Sequence, residues 1–161
     1  MSSGALPVRV LKRVSKELEK WRTSSPEERG GLTLTEKSPS EWHIGITGAV
    51  GTPYEGERFL LSVQFEEDYP MTSPITTFVV DSEYSSPEHV HCYSNGHICL
   101  NILGADWSPA LTVQSICLSV LSMLSSAEAK GRPPGDARYS SSHPVGSNPK
   151  KTKWLFDDDG V

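Results

Sequence analysis

The sequence predicts an α+β domain: an N-terminal helix, a four-stranded antiparallel sheet, a loop that carries function, a central helix and an irregular C-terminal tail. Three observations predict it. Apolar residues fall at helical spacing near the start and again after residue 112, the stretch between alternates with period two, and Gly, Pro and Ser punctuate the alternating runs. At 161 residues, of which 36% are hydrophobic, the chain can close one core of modest size, which argues against a second domain.

Leu11, Val14, Leu18 and Trp21 share one face of a helix over residues 8–22, and Pro7 suits a first helical position. Lys12, Arg13 and Lys16 cluster on the outer face, where the simplest reading is a solvated surface. Leu32 and Leu34, then Trp42, Ile44 and Ile46, then Phe59, Leu61, Val63 and Phe65 alternate as strands do, and Ile75 to Val80 makes a fourth candidate. The connectors are rich in Gly, Pro and Ser, so the strands should form a meander. Val113, Ile116, Cys117, Val120, Leu121 and Leu124 then define a helix over residues 113–126, with Thr112 as its N-cap. The last 32 residues hold four Pro, four Gly and four Ser and no apolar stripe, which predicts no helix there. The expected layout is a flexible N-terminus over 1–7, a core over 8–129 and the tail over 130–161.

A net charge of -5 offers no basic field for a phosphate backbone, so nucleic acid is excluded as the main partner and proteins are favoured. No stretch approaches the ~20 apolar residues that a membrane span needs. Met1 to Pro7 lacks the pattern of a secretory signal, so a cytoplasmic and nuclear location is expected. Three cysteines are an odd number without paired spacing, which points to reduced thiols.

The chemistry should lie in the His89 to Asn101 run, where His89, His91, Cys92, His97 and Cys99 fall within eleven positions. Three readings compete. These are metal-ligand residue types, but zinc sites draw paired ligands from two separated segments and no second pair exists. Free cysteines are most often small buried hydrophobes, and Cys117, on a helix's inward stripe, fits that description. Cys99 differs because it follows the Asn95-Gly96 turn signal on a loop, where a thiol would be accessible. A cysteine of ordinary pKa, about 8.5, keeps a few per cent thiolate near neutrality and forms an acyl thioester reactive toward amines.

Tyr93-Ser94-Asn95-Gly96-His97-Ile98-Cys99-Leu100-Asn101-Ile102-Leu103, followed by Asp106-Trp107-Ser108-Pro109-Ala110-Leu111-Thr112, closely resembles the active-site signature of ubiquitin-conjugating enzymes. The likeness extends back through residues 51–59, Tyr69-Pro70-Met71 and the opening helix, and covers about four-fifths of the chain. Asn148-Pro149-Lys150-Lys151-Thr152-Lys153-Trp154 adds a likeness to W-type members, known for attaching ubiquitin to protein α-amino groups. The resemblance implies that family's fold and makes Cys99 the thioester nucleophile. It implies that ubiquitin arrives already activated, so the chain needs no nucleotide, metal or other cofactor. It gives Lys12, Arg13 and Lys16 a role in docking the activating enzyme, and Met71 with Ser108, Pro109 and Ala110 a role in docking ligases of RING or U-box type.

Two departures bear on mechanism. Where most members carry His-Pro-Asn ending eight residues before the cysteine, this chain has His89-Val90-His91; an imidazole at position 91 can donate to an oxyanion, as the usual amide is thought to do. Asn101 stands where many lysine-directed members have an acidic residue. A lysine of pKa about 10.4 is rarely neutral at pH 7, whereas an α-amine of about 7.7 to 8.0 is neutral several-hundredfold more often and needs less help from carboxylates. His91, Asn101 and the tail therefore favour protein N-termini as acceptors. Alternatives on the same resemblance are conjugation of another ubiquitin-like modifier and a non-catalytic ubiquitin-binding variant, which the presence of Cys99 disfavours. A cysteine hydrolase using one of the three histidines is a further alternative, which the family likeness disfavours.

Overall fold

The computed structural model describes residues 5–151. Helix α1 (Val8–Thr23) starts after Pro7, whose carbonyl accepts from the Val10 and Leu11 N–H groups at 3.0 Å. Its buried stripe is Val10, Val14, Leu18 and Trp21, so Val10, fully buried, takes the first inward position and Leu11 flanks it. Strands β1 (Thr33–Ser38), β2 (Glu41–Thr47), β3 (Arg58–Gln64) and β4 (Ile75–Phe78) form one antiparallel sheet in sequential order. Register explains the alternation: Trp42 pairs with Val63, Ile44 with Leu61 and Ile46 with Phe59, so all six side chains share the core face. His43, Ser62 and Thr77 fall on the opposite face.

Helix α2 (Val113–Ser125) adds Ile116, Cys117, Val120 and Leu124 to that core. Thr112 caps it reciprocally: its hydroxyl accepts from the Ser115 N–H, and the Ser115 hydroxyl accepts from the Thr112 N–H. Each large apolar side chain buried here contributes roughly 1.5–3 kcal/mol.

The tail departs from expectation. Within the stretch read as irregular, Asp136–Ser142 forms helix α3, and Pro149–Lys151 forms a 3-10 turn. A seven-residue helix without a buried stripe is too short to be stable alone and carries no periodic signal. It is held instead by side-chain bonds to the loop beneath it, described below. The expected flexible N-terminus falls mostly on residues 1–4, and Trp154 with its neighbours on 152–161; both lie outside the described residues. No described helix is long and apolar enough to cross a membrane.

Candidate active site

The segment before α2 folds back on itself and uses the free edge of β4. Thr77 bridges His97, the Phe78 N–H donates to the Gly96 carbonyl at 2.8 Å, and Cys92 bridges Ile98 in antiparallel sense. Gly96 is required at this turn: its φ is +99°, and a Cβ there would sit 2.2 Å from the Phe78 oxygen. Pairing of Cys92 with Ile98 leaves His91 opposite Cys99, and the Cys99 N–H donates to the His91 carbonyl at 2.8 Å. Cys92 and Ile98 point into the core, so His91 and Cys99 occupy the other face of the ribbon together. The His91 N–H donates to His89 Nδ1 at 3.0 Å, and the two rings lie 5.3 Å apart.

The three thiols are therefore unequal. Cys92 and Cys117 are fully buried in the core; burial pushes the Cys92 thiol up to about 12 and raises that of Cys117 further. Cys99 alone sits on the ribbon's outer face. It is only 4% exposed, however, which corrects the expectation of an openly accessible thiol. The tail lies over the loop that carries it. The Ser94 N–H donates to Asp136 at 2.8 Å, Ser94 and Ser140 hydroxyls meet at 2.9 Å, and the Asn95 amide donates to the His143 carbonyl at 2.7 Å. His97 is held from both sides, with Nδ1 2.6 Å from the Tyr139 hydroxyl and Nε2 3.0 Å from the Ser147 carbonyl. A carbonyl only accepts, so the neutral ring carries its proton on Nε2 and receives the Tyr139 proton on Nδ1. Burial lowers the His97 pKa, as it does that of His89. Tyr93, Tyr139 and His143 stack with ring separations of 4.0 and 4.1 Å. Burial, then Cys99, Tyr139 and Asp136 nearby, raise the Tyr93 hydroxyl to about 12.

Asn101 opens a 3-10 turn (Asn101–Leu103), and its carbonyl accepts from the Gly104 and Asp106 N–H groups, each at 2.9 Å. It borders a cavity of about 210 Å³ that Leu103, Pro149 and Lys150 also line. Among the described residues no cluster of His, Cys, Asp and Glu could hold a metal ion.

The residues expected at the docking surface lie apart from this loop. Met71 is 71% exposed, and Ser108, Pro109 and Ala110 are exposed as well. Their two loops are stapled together: the Trp107 indole donates to the Pro70 carbonyl at 2.9 Å, and the Ser73 hydroxyl to the Leu103 carbonyl at 2.8 Å. Lys12 and Lys16 are exposed on α1, but Arg13 is turned inward. Its guanidinium donates to Glu17 at 2.7 Å and to the Leu111 carbonyl at 2.7 Å. The Glu17 side chain, 8% exposed, also accepts from the Tyr69 hydroxyl and from the Val113 N–H of the first turn of α2 at 2.8 Å. One carboxylate thus joins α1, the Tyr69 loop and the positive end of α2, and the Arg13 it holds reaches the Leu111 carbonyl. Sequence reasoning gave no role to Glu17, Tyr69 or Tyr139 and named His97 only among the histidines of the loop; nothing in the spacing of Glu17 or Tyr139 marks them.

The arrangement matches known proteins throughout. The family model described as ubiquitin-conjugating enzyme matches residues 13–143. The chain belongs to the ubiquitin-conjugating enzyme family, whose members work with ubiquitin, an activating enzyme and ligases. Within the family it is of the W type. It is 49% identical to the probable ubiquitin-conjugating enzyme E2 W-A of Danio rerio, covering 93% of this chain and 97% of the relative. It is 47% identical to ubiquitin-conjugating enzyme E2 W of Caenorhabditis elegans, covering 94% and 97%. Among solved structures, that of ubiquitin conjugating enzyme E2 UbcA1 from Agrocybe aegerita superposes with a TM-score of 0.78 at 38% identity, covering 86% of this chain and 96% of that one.

Proposed function

We propose that Cys99 accepts ubiquitin as a thioester from the activating enzyme and passes it to an amine, with the α-amino groups of protein N-termini as preferred acceptors. The observation that carries this reading is the pairing of Cys99 with His91 on the outer face of the ribbon, while the other two cysteines sit in the core. Thiol exchange moves the acyl group from the donor sulfur to Cys99 Sγ, and an incoming neutral amine then attacks the thioester carbonyl. Negative charge grows on that oxygen, and the His91 imidazole is the group assigned to donate to it. Asn101 presents no carboxylate to deprotonate a lysine, which leaves the less basic α-amine as the favoured nucleophile.

Burial of Cys99 adds a step. Its sulfur must be uncovered before it meets another protein, and at about 0.5–1.5 kcal/mol for each bond between tail and loop the opening costs a few kcal/mol. Lys12 and Lys16 are the exposed cations offered to the activating enzyme, with Arg13 supporting them from inside. Met71, Ser108, Pro109 and Ala110 form one continuous exposed surface for a RING or U-box ligase, and we place the reaction in the cytoplasm and nucleus. Two otherwise matched substrates test acceptor choice, one lysine-free with a free N-terminus and one N-terminally acetylated with its lysines intact. The lysine-free substrate should be modified; modification of only the acetylated one refutes the preference.

A further inference from the structure

We infer that Arg132 is a positioning residue for the thiol at Cys99, holding the neighbouring turn in the shape that a proline at position 90 would otherwise impose. The inference rests on the reading of Cys99 as the acyl carrier. The Cys92 N–H donates to the His89 carbonyl at 3.0 Å, so His89, Val90, His91 and Cys92 form a four-residue turn with Val90 in its second position. Proline is favoured there because its ring fixes φ near -65° and no N–H is needed. Among the described residues the Val90 N–H makes no hydrogen bond, and the side chain is 51% exposed. A valine leaves φ free, and fixing it costs ordering entropy that proline would already have removed. The turn is consequential, since its third residue supplies the carbonyl that anchors the Cys99 N–H at 2.8 Å.

Arg132 grips both arms of this turn. Nη1 donates to the Pro87 carbonyl at 2.6 Å and to the Cys92 carbonyl at 3.1 Å, while Nη2 donates to the Ser86 carbonyl at 3.1 Å. Among the described residues no carboxylate lies within ion-pair distance of this guanidinium, so its described bonds all go to the loop backbone. The preceding residue reinforces the grip: the Gly131 N–H donates to the Glu88 carbonyl at 3.2 Å, and that carbonyl also accepts from the Tyr54 hydroxyl at 2.6 Å. A planar fork fixes direction as well as charge, which a lysine ammonium does not.

The test charges the protein with ubiquitin, removes the activating enzyme and follows discharge to a peptide bearing a free N-terminus, across peptide concentration. Arg132→Ala should slow discharge at saturating peptide about 10-fold, with the half-saturating concentration unchanged, as a displaced nucleophile or oxyanion donor requires. Arg132→Lys should stay within about 3-fold of the alanine variant, because charge without the fork does not hold both arms. Val90→Pro should recover most of the lost rate in the Arg132→Ala background and change the parent by less than about 2-fold. Should the proline variants fail to fold, ethylguanidinium added to Arg132→Ala decides, and restoration of rate at millimolar concentration is expected. Discharge of Arg132→Ala at the parent rate, an equal effect of Val90→Pro in both backgrounds, or no guanidinium rescue overturns the inference. A parent chain that never charges overturns the acyl-carrier reading beneath it, which a charging parent with an unaffected Arg132→Ala leaves standing.

Discussion

The face built around Glu17 and the loop built around Cys99 use polar groups in opposite ways. Around Glu17, one nearly buried carboxylate receives an arginine, a tyrosine hydroxyl and a backbone N–H from three separate parts of the chain. Around Cys99, one hydrogen bond to a carboxylate, several neutral ones and a stack of rings hold a short helix against the loop. Removing one partner from a charged, desolvated network leaves the others unsatisfied, whereas a neutral hydrogen bond is worth only about 0.5–1.5 kcal/mol. The first region is therefore the costlier of the two to disrupt, and the second the easier to open.

Substitutions at Glu17 should break this contrast most visibly. Glu17→Ala should lower unfolding stability by about 2–4 kcal/mol, read by chemical denaturation, because it strands the Arg13 guanidinium and the Val113 N–H. A loss no larger than that of a surface substitution would mean that the carboxylate is not the centre of that face. Tyr139→Ala tests the other region. It removes a ring from the stack and the bond to His97, so alkylation of Cys99 by iodoacetamide should accelerate about 5- to 30-fold, the factor that 1–2 kcal/mol commands, with little change in global stability. An unchanged alkylation rate would show that this side chain does not keep the sulfur covered.

Acidification gives the smallest effect. His89 and His97 both have pKa values lowered from 6.5, chiefly by burial, so the unfolded chain binds protons before the folded one as pH falls through that value. Their contribution to stability is complete above about pH 6.5 and is lost below it, and His97→Gln should reduce that loss. Denaturation midpoints at pH 7.5 and 5.5 measure it, and a parent stability that rises on acidification contradicts the neutral assignment of these rings.

The two regions also differed in how legible they were. Both long helices and all four strands follow from periodicity, because each is set by neighbours close in sequence. Helical spacing puts Leu11 on the buried stripe where Val10 takes the inward position, since spacing defines a stripe but not its edge. Arg13 reads as one more surface cation beside Lys12 and Lys16, yet its partner Leu111 lies 98 residues away. Helix α3 was invisible for the same reason: its anchors at Ser94, Asn95 and His97 are remote in sequence, and its own seven residues carry no apolar face. The 4% exposure of Cys99 is equally unmarked in the sequence. A loop motif singles out one thiol and says nothing of how far the folded chain buries it.

The most direct measurement mixes the protein with activating enzyme, ATP and ubiquitin and maps any adduct by non-reducing electrophoresis and mass spectrometry. The account predicts one reductant-sensitive adduct on Cys99, absent from Cys99→Ala and retained by a folded Cys117→Ala. A folded chain that acquires no adduct, or a Cys99→Ala variant that acquires one at Cys92 or Cys117, contradicts it.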